Sequence, residues 1–167
     1  MMSQTRFASL DDFRKGEIEL ISGSRKEYAF SNLFEVAATS RPWDRIAVAR
    51  NLEYVQEVVP AEGVSPWFAC AHDEFAICMD GEVHVEYVQL ANPRRLAAED
   101  RGGAVQVPGE PEGRRMGAVA LRRGHQALLN RDCAYRFMAQ GSRPGVLLVQ
   151  TMLGDLTVQK WAGICLH

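Results

Sequence analysis

Short runs of β-branched and aromatic residues recur along most of the chain, with turn-forming residues between them. Their spacing of roughly eight to twelve residues is typical of an antiparallel β-sandwich or a small β-barrel. The sequence therefore predicts an all-β fold, with strands at Ile18–Ile21, Tyr28–Ala37, Arg45–Ala49, Glu53–Val59, Trp67–Met79, Glu82–Leu90, Gly117–Leu121, His125–Leu129, Ala134–Ala139, Val146–Leu153 and Val158–Ile164.

Turn signals separate several of these strands. Asp80-Gly81 stands between two strand runs, and an Asp-Gly pair favours a two-residue hairpin turn because both turn positions need a positive φ. Arg123-Gly124 separates a second pair of runs, and the segment 141–145 separates a third. The sequence therefore predicts three hairpins.

Two segments depart from the strand pattern. Ser9 to Asp12 is a helix-capping signal, so we expect residues 1–16 to form an N-terminal arm with one short helix that ends near Gly16. Residues 91–115 are rich in glycine and proline and predict a long loop. A loop of this length either binds a partner or is a solvated, partly disordered surface segment.

The composition fits one domain that spans residues 1–167, because compact domains run to about 100–200 residues and 47% of the residues are hydrophobic. A net charge of -2 predicts no nucleic-acid partner, and the absence of a run of roughly 20 apolar residues predicts no membrane span. No apolar segment of signal-peptide type is present at the N-terminus, and the four cysteines form no Cys-x-x-Cys pair. We therefore expect a soluble cytoplasmic protein with reduced, buried thiols.

The segment from Glu74 to Gly81 has the spacing of a metal-binding motif without its ligands. It resembles the first motif of the cupin superfamily, a group of small antiparallel β-barrels, in which two histidines precede a glutamate and a glycine follows it. Glu74 and Gly81, with six residues between them, match that spacing. The two histidine positions fall on Phe68 and Cys70 or, with a longer spacer, on Trp67 and Ala69.

The second cupin motif has been lost in the same way. Aligned on Gly124, its other positions fall on Asn130, Asp132, Tyr135 and Ala139, so only the glycine is retained. Tyr135 takes the place of the third histidine ligand. We therefore expect a cupin-type antiparallel β-barrel, also described as a double-stranded β-helix or jelly roll, whose vestigial metal positions are Cys70, Glu74 and Tyr135.

A metal site could still form from other residues. His72 lies two residues before Glu74, and residues two apart on a strand share a face, so both side chains could point into the barrel. With His125 they would supply the two histidines and one carboxylate of an iron or manganese triad. A histidine hydrogen-bonded to a carboxylate satisfies both groups without a metal, so we expect this chain to hold none. We assign it no catalytic residue either.

The resemblance becomes closer in four stretches of the sequence, Gly16 to Ser22, Arg41 to Val55, His72 to Val83 and Gln159 to Cys165. In them the chain resembles the small subunit of the two-component hydroquinone 1,2-dioxygenases. The resemblance implies Fe(II)-dependent cleavage of hydroquinone by O2 to 4-hydroxymuconic semialdehyde, in bacterial degradation of aromatics such as 4-nitrophenol. It also implies a heterotetramer of two small and two large subunits, with the iron on the large subunit and none bound by this chain.

The missing ligands are consistent with an enzyme in which the large subunit holds the iron and this chain stabilises the large subunit. Stable subunit contacts are built around aromatic and aliphatic anchors. The candidate anchors are Trp43, Trp67, Phe68 and Trp161, unless these rings belong to the core.

Two alternatives remain open from the sequence alone. The chain could be an autonomous metal-dependent cupin enzyme that uses His72, Glu74 and a third ligand. It could also be a barrel that binds a small aromatic molecule without catalysis. Metal bound by this chain alone would favour the first alternative, and stabilisation by hydroquinone without a partner would favour the second.

Overall fold

The computed structural model describes residues 27–28 and 32–160. The elements in chain order are β1 (Glu27–Tyr28), α1 (Leu33–Ala38), β2 (Arg45–Asn51), β3 (Tyr54–Ala61), β4 (Trp67–Cys70), β5 (Glu74–Asp80), β6 (Glu82–Leu90), α2 (Pro93–Leu96), β7 (Ala104–Val107), β8 (Gly113–Arg122), β9 (Gln126–Leu129), β10 (Cys133–Gln140), β11 (Gly145–Met152) and β12 (Thr157–Val158).

The strands form two sheets with a shared core between them. The first sheet has the order β1-β2-β3-β11-β5-β9, and β12 pairs in parallel with β2. The second has the order β7-β4-β10-β6-β8, and every ladder other than that of β12 is antiparallel. Val59 and Leu147 of the first sheet pack in one core with Val83 and Phe137 of the second. The predicted all-β, cupin-type barrel is confirmed.

The three predicted hairpins are wrong. Each of the three turns joins strands of different sheets, since β5 and β6, β8 and β9, and β10 and β11 are separated in this way. A type I′ hairpin turn needs a positive φ at both central residues. In the first two turns only the glycines, Gly81 (φ 76°) and Gly124 (φ 87°), have it. These turns therefore carry the chain from one sheet to the other.

The predicted strand Tyr28–Ala37 is replaced by β1 and α1. Asn32 caps the helix, because its side-chain oxygen accepts hydrogen bonds from the backbone N–H groups of Phe34 (3.1 Å) and Glu35 (3.3 Å). Val36 and Ala37 then pack on the outer face of the first sheet. The described part of this run thus buries Val36 and Ala37 on one helical face and leaves Phe34 45% exposed.

The predicted loop 91–115 contains α2, β7 and the start of β8. β7 pairs with β4 and buries Ala104, Val105 and Val107. Gly102 also lies against the backbone of the segment that follows β11, where an added Cβ would come within 2.4 Å of the Leu153 carbonyl oxygen. Glycine here permits a close approach of two backbones, and composition alone does not separate that role from loop formation.

Several predicted elements lie outside the described residues. These are the helix in residues 1–16, the strand Ile18–Ile21 and residues 161–164 of the predicted strand Val158–Ile164. Of its described residues 158–160, only Val158 belongs to a strand, as the last residue of β12. The run Trp67–Met79 forms two strands, β4 and β5, in different sheets. Neither α1, with six residues, nor α2, with four, could cross a membrane.

Candidate functional site

A charged side chain lies inside the barrel, at the start of β2. Arg45 is 2% exposed, and each of its guanidinium nitrogens donates a hydrogen bond. Nε donates to Glu57 Oε2 (2.6 Å), Nη2 to Glu74 Oε1 (2.7 Å) and Nη1 to the hydroxyl oxygen of Tyr135 (2.9 Å). A buried charge is tolerated when it is both paired and hydrogen-bonded, and Arg45 meets both conditions. We call these four residues the Arg45 cluster.

The Arg45 cluster joins the two sheets through the core. Arg45, Glu57 and Glu74 lie on β2, β3 and β5 of the first sheet, whereas Tyr135 lies on β10 of the second. The Tyr135 hydroxyl, while accepting from Arg45, donates to Glu74 Oε2. The Thr157 hydroxyl donates to Glu57 Oε1 (2.5 Å). Both carboxyl groups thus have two polar partners each.

Burial and mutual attraction set the ionisation of the cluster. Burial opposes the charge of Arg45, but Glu74, Tyr135 and Glu57 outweigh it, so the pKa of Arg45 lies well above its usual value. Burial raises the pKa of Glu57, against the opposing effects of Arg45 and the Thr157 hydrogen bond. Burial also raises the pKa of Tyr135 well above its usual value, so its side chain is a neutral phenol at neutral pH. Arg45 is therefore a permanent cation, and oxygen acceptors of Glu57, Glu74 and Tyr135 surround it.

Aromatic rings surround the polar groups. The Phe68 ring centre lies 5.5 Å from Arg45 Cζ, a distance suited to a cation–π contact. The Phe68 and Tyr135 ring centres are 5.9 Å apart, and Trp43 stacks on Phe137 at 6.2 Å. Trp43 therefore packs beside the same core from its partly buried position.

Of the three vestigial metal positions Cys70, Glu74 and Tyr135, two contact Arg45. Glu74 and Tyr135 hydrogen-bond to the Arg45 guanidinium, and the Phe68 ring faces it. Cys70 is also buried, and its thiol donates to the Gly103 carbonyl oxygen (3.2 Å). Burial raises the pKa of Cys70 to about 12, and the charge of Glu74 adds to that effect.

Sequence reasoning placed Glu74 and Tyr135 but missed Arg45 and Glu57. The available signal was a charged residue within each of two predicted apolar strands, since Arg45 lies in Arg45–Ala49 and Glu57 in Glu53–Val59. A charged residue in a strand is usually predicted to face solvent. Two opposite charges on neighbouring strands can instead face inward as a pair.

The triad of His72, Glu74 and His125 is not assembled. His72 precedes β5, so the two-residue strand periodicity does not apply to it, and its Nδ1 lies 3.4 Å from Cys70 Sγ. His125 lies in an exposed turn, where its Nδ1 accepts from the Arg122 N–H (3.1 Å). Within residues 27–28 and 32–160, no group of three or more His, Cys, Asp or Glu side chains is arranged to hold a metal. The residues beside Glu74 do not fit an iron site.

The candidate interface anchors differ in their exposure. Trp67 and Phe68 are buried by the chain's own residues, and Arg136 Cζ lies 4.5 Å from the Trp67 ring centre. Neither ring is therefore available to a partner in this conformation. Trp161 lies outside the described residues.

Comparison with solved structures identifies the family. A chain of hydroquinone 1,2-dioxygenase from Sphingomonas sp. TTNP3, with 4-hydroxybenzoate bound, is 48% identical with a TM-score of 0.80, over 98% of this chain and 97% of that one. A chain of hydroquinone 1,2-dioxygenase PnpCD, in complex with Cd2+ and 4-hydroxybenzonitrile, is 54% identical with a TM-score of 0.78, over the same shares. The chain belongs to the hydroquinone 1,2-dioxygenase family.

A longer chain occurs under the same enzyme name. In the Sphingomonas hydroquinone 1,2-dioxygenase in complex with 4-nitrophenol, a chain that is 14% identical with a TM-score of 0.55 matches 84% of this chain but only 38% of its own length. That match shows a common fold alone. The resemblance to the small hydroquinone dioxygenase subunit is confirmed by the two full-length matches. No protein-family model and no curated protein matches the chain.

Proposed function

We propose that this chain is the metal-free accessory subunit of an Fe(II)-dependent hydroquinone 1,2-dioxygenase. The complete enzyme cleaves hydroquinone with O2 to 4-hydroxymuconic semialdehyde, in bacterial breakdown of aromatics such as 4-nitrophenol. The large subunit holds the iron, and two copies of each subunit form the complex. We place it in the cytoplasm, which agrees with the three free cysteines of the described residues.

The observation that carries this proposal is the position of Arg45. An iron site needs several convergent imidazole or carboxylate ligands with room for the ion between them. Beside Glu74 that room is filled by a guanidinium, and Phe68 and Tyr135 stand where the motif has histidines. The interior of this barrel therefore supplies structure, and the metal chemistry belongs to the partner.

The outer strand β8 offers a surface for the large subunit. Nine of its ten residues are exposed, and among the strands of residues 27–28 and 32–160 none pairs with its outer side. Met116 is 57% exposed and Val119 is 44% exposed. Leu128 on β9, at the edge of the first sheet, is also exposed, and its carbonyl oxygen accepts from the Tyr87 hydroxyl (3.0 Å). Exposed apolar edges of this kind are association surfaces that proteins normally cover.

The charge of β8 indicates the kind of surface that covers it. The strand and its following turn carry four arginines, Arg114, Arg115, Arg122 and Arg123. Arg115 and Arg122 form ion pairs with Glu86 and Glu82 of this chain. Four arginines against two glutamates still leave the edge positive and complementary to an acidic surface, which would speed encounter and fix orientation. We therefore expect the large subunit to present acidic side chains beside an apolar patch here.

The proposal is tested by co-expressing the two subunits and then separating them. Iron content and hydroquinone-dependent O2 uptake are measured on each chain and on the recombined mixture. We expect iron on the large subunit and full activity only after recombination. Hydroquinone cleavage by this chain alone, or stoichiometric iron on it, would overturn the proposal.

A further inference from the structure

Three oxygen atoms from three strands surround one buried guanidinium. Glu57 Oε2, Glu74 Oε1 and the Tyr135 hydroxyl oxygen lie 2.6, 2.7 and 2.9 Å from the three nitrogens of Arg45. All four residues belong to the barrel interior and are shielded from solvent. The site is thus a closed set of oxygen donors around a single cation.

Arg45 is the cation that compensates both carboxyl groups. The ion pairs of Glu57 and Glu74 are made with Arg45, and their other partners, Thr157 and Tyr135, are neutral hydroxyl donors. Removing a partner from a buried pair leaves an uncompensated charge, which is strongly destabilising. Without Arg45 the two carboxyl groups would need another positive charge in the same place.

We infer that the Arg45 guanidinium is a resident cation in place of a metal ion, and that its removal converts the Arg45 cluster into a divalent-cation site. Carboxylate and hydroxyl oxygens are donors that hard cations such as Mn2+, Mg2+ and Ca2+ accept. Truncating the arginine also frees the volume between them for an ion and water. This inference concerns the interior of this chain and does not depend on the identity of the catalytic subunit.

The test uses the full chain and Mn2+ as the probe. Thermal unfolding is followed by circular dichroism in EDTA and in millimolar Mn2+, and bound manganese is counted after equilibrium dialysis. We expect Arg45→Ala to bind about one Mn2+ and to melt about 5 °C higher or more with it, since a ligand of the folded state raises Tm. The wild-type chain and the exposed control Arg143→Ala should show neither effect.

A second substitution identifies the ligands. Arg45→Ala combined with Glu74→Gln removes one charged donor and should lose most of the Mn2+ response. A retained response in this double variant would place the ion elsewhere and overturn the inference. The inference is also overturned if folded Arg45→Ala neither binds Mn2+ nor melts at a higher temperature with it. An equal rise in the melting temperature of the wild-type chain would overturn it as well.

Refolding decides the case if Arg45→Ala does not fold in EDTA. The variant is then diluted from denaturant with and without Mn2+, and the yield of chain with native circular dichroism is compared. A higher yield with Mn2+ supports the inference. Equal yields, or no folded chain in either condition, would contradict it.

Discussion

Arg45 and Tyr135 are separated by 90 positions in the chain, and their side chains meet in a 2.9 Å hydrogen bond between the guanidinium and the phenol. One residue belongs to the first sheet and the other to the second, so the bond crosses the core. Because Tyr135 also donates to Glu74, its hydroxyl holds two charged groups in position. The two sheets are therefore joined through the core by hydrogen bonds among these charged and polar side chains.

Tyr135→Phe removes the hydroxyl and keeps the ring. Arg45 Nη1 and Glu74 Oε2 then each lose a partner inside the core. We expect a loss of about 2 kcal/mol in the free energy of unfolding, measured by urea denaturation. Tyr54→Phe is the matched control, because Tyr54 is 69% exposed, and it should change stability by less than about 0.5 kcal/mol. Equal effects of the two variants would contradict the role given to Tyr135.

Arg45→Met keeps much of the side-chain volume and removes the charge. Glu57 and Glu74 are then left without their cation, and we expect a loss of about 3–5 kcal/mol. Adding Glu57→Gln and Glu74→Gln to Arg45→Met removes the unpaired charges and should recover much of that loss. If the triple variant is less stable than Arg45→Met, the penalty does not arise from unpaired charge. Urea denaturation in EDTA measures all three proteins.

The raised pKa of Glu57 gives a stability difference with a defined sign. The folded chain binds a proton on Glu57 at a higher pH than the unfolded chain, whose carboxyl titrates near its usual value of 4.5. This contribution is therefore fully present below that value and is lost as pH rises through the folded pKa. We expect the wild-type chain to gain stability relative to Glu57→Gln as pH falls towards 4.5. Urea denaturation of both proteins across this range tests the sign, and a relative loss on acidification would show that Arg45 dominates.

Gly81 and Gly124 separate the effect of a close contact from that of backbone strain. Both have positive φ, but an added Cβ would lie 2.9 Å from Gly145 Cα at Gly81 and would meet nothing within 4 Å at Gly124. We expect Gly124→Ala to cost about 1–2 kcal/mol from strain and Gly81→Ala to cost clearly more. Thermal unfolding of the two variants measures the difference. Equal losses of stability would mean that the backbone at Gly145 shifts to accommodate the added Cβ without a further loss of stability.

Val119→Asp tests the proposed surface on β8. A charge placed in an apolar interface should weaken binding to the large subunit by at least about tenfold, which isothermal titration calorimetry detects. Val64→Asp is the control, because Val64 is also exposed but lies outside β8 and β9. Unchanged affinity of Val119→Asp would remove β8 from the interface. Unchanged unfolding of both variants would show that the effect is on binding.

Strand positions could be predicted from the sequence where the alternation of apolar and polar residues agrees with the position of turn-forming residues. The predicted strand Glu82–Leu90 has the same bounds as β6, and Glu74 and Tyr135 were found as vestigial positions from motif spacing. Turn residues determine the local backbone conformation, but they do not determine to which sheet the next strand belongs. That choice depends on pairing between distant segments, as in Gln56 opposite Gln150.

The centre of the site was less accessible to sequence reasoning. Arg45 and Glu57 are charged residues in strands, and a hydropathy pattern assigns such residues to the surface. Their burial follows from Tyr135 and Glu74, which complete the hydrogen bonds from positions far away in the chain. Only the folded barrel brings these four residues together.

The crossings between sheets also constrain how the chain is made. The strand β11 lies between β3 and β5, and its residues 145–152 are translated long after both neighbours. Until they emerge from the ribosome, β3 and β5 have exposed edges, and the loop that must close is long. The tight Leu52-Glu53 turn lets β2 and β3 pair early, but the barrel must wait for the C-terminal third. Closure of the first sheet is therefore a late step in folding, because it needs β11.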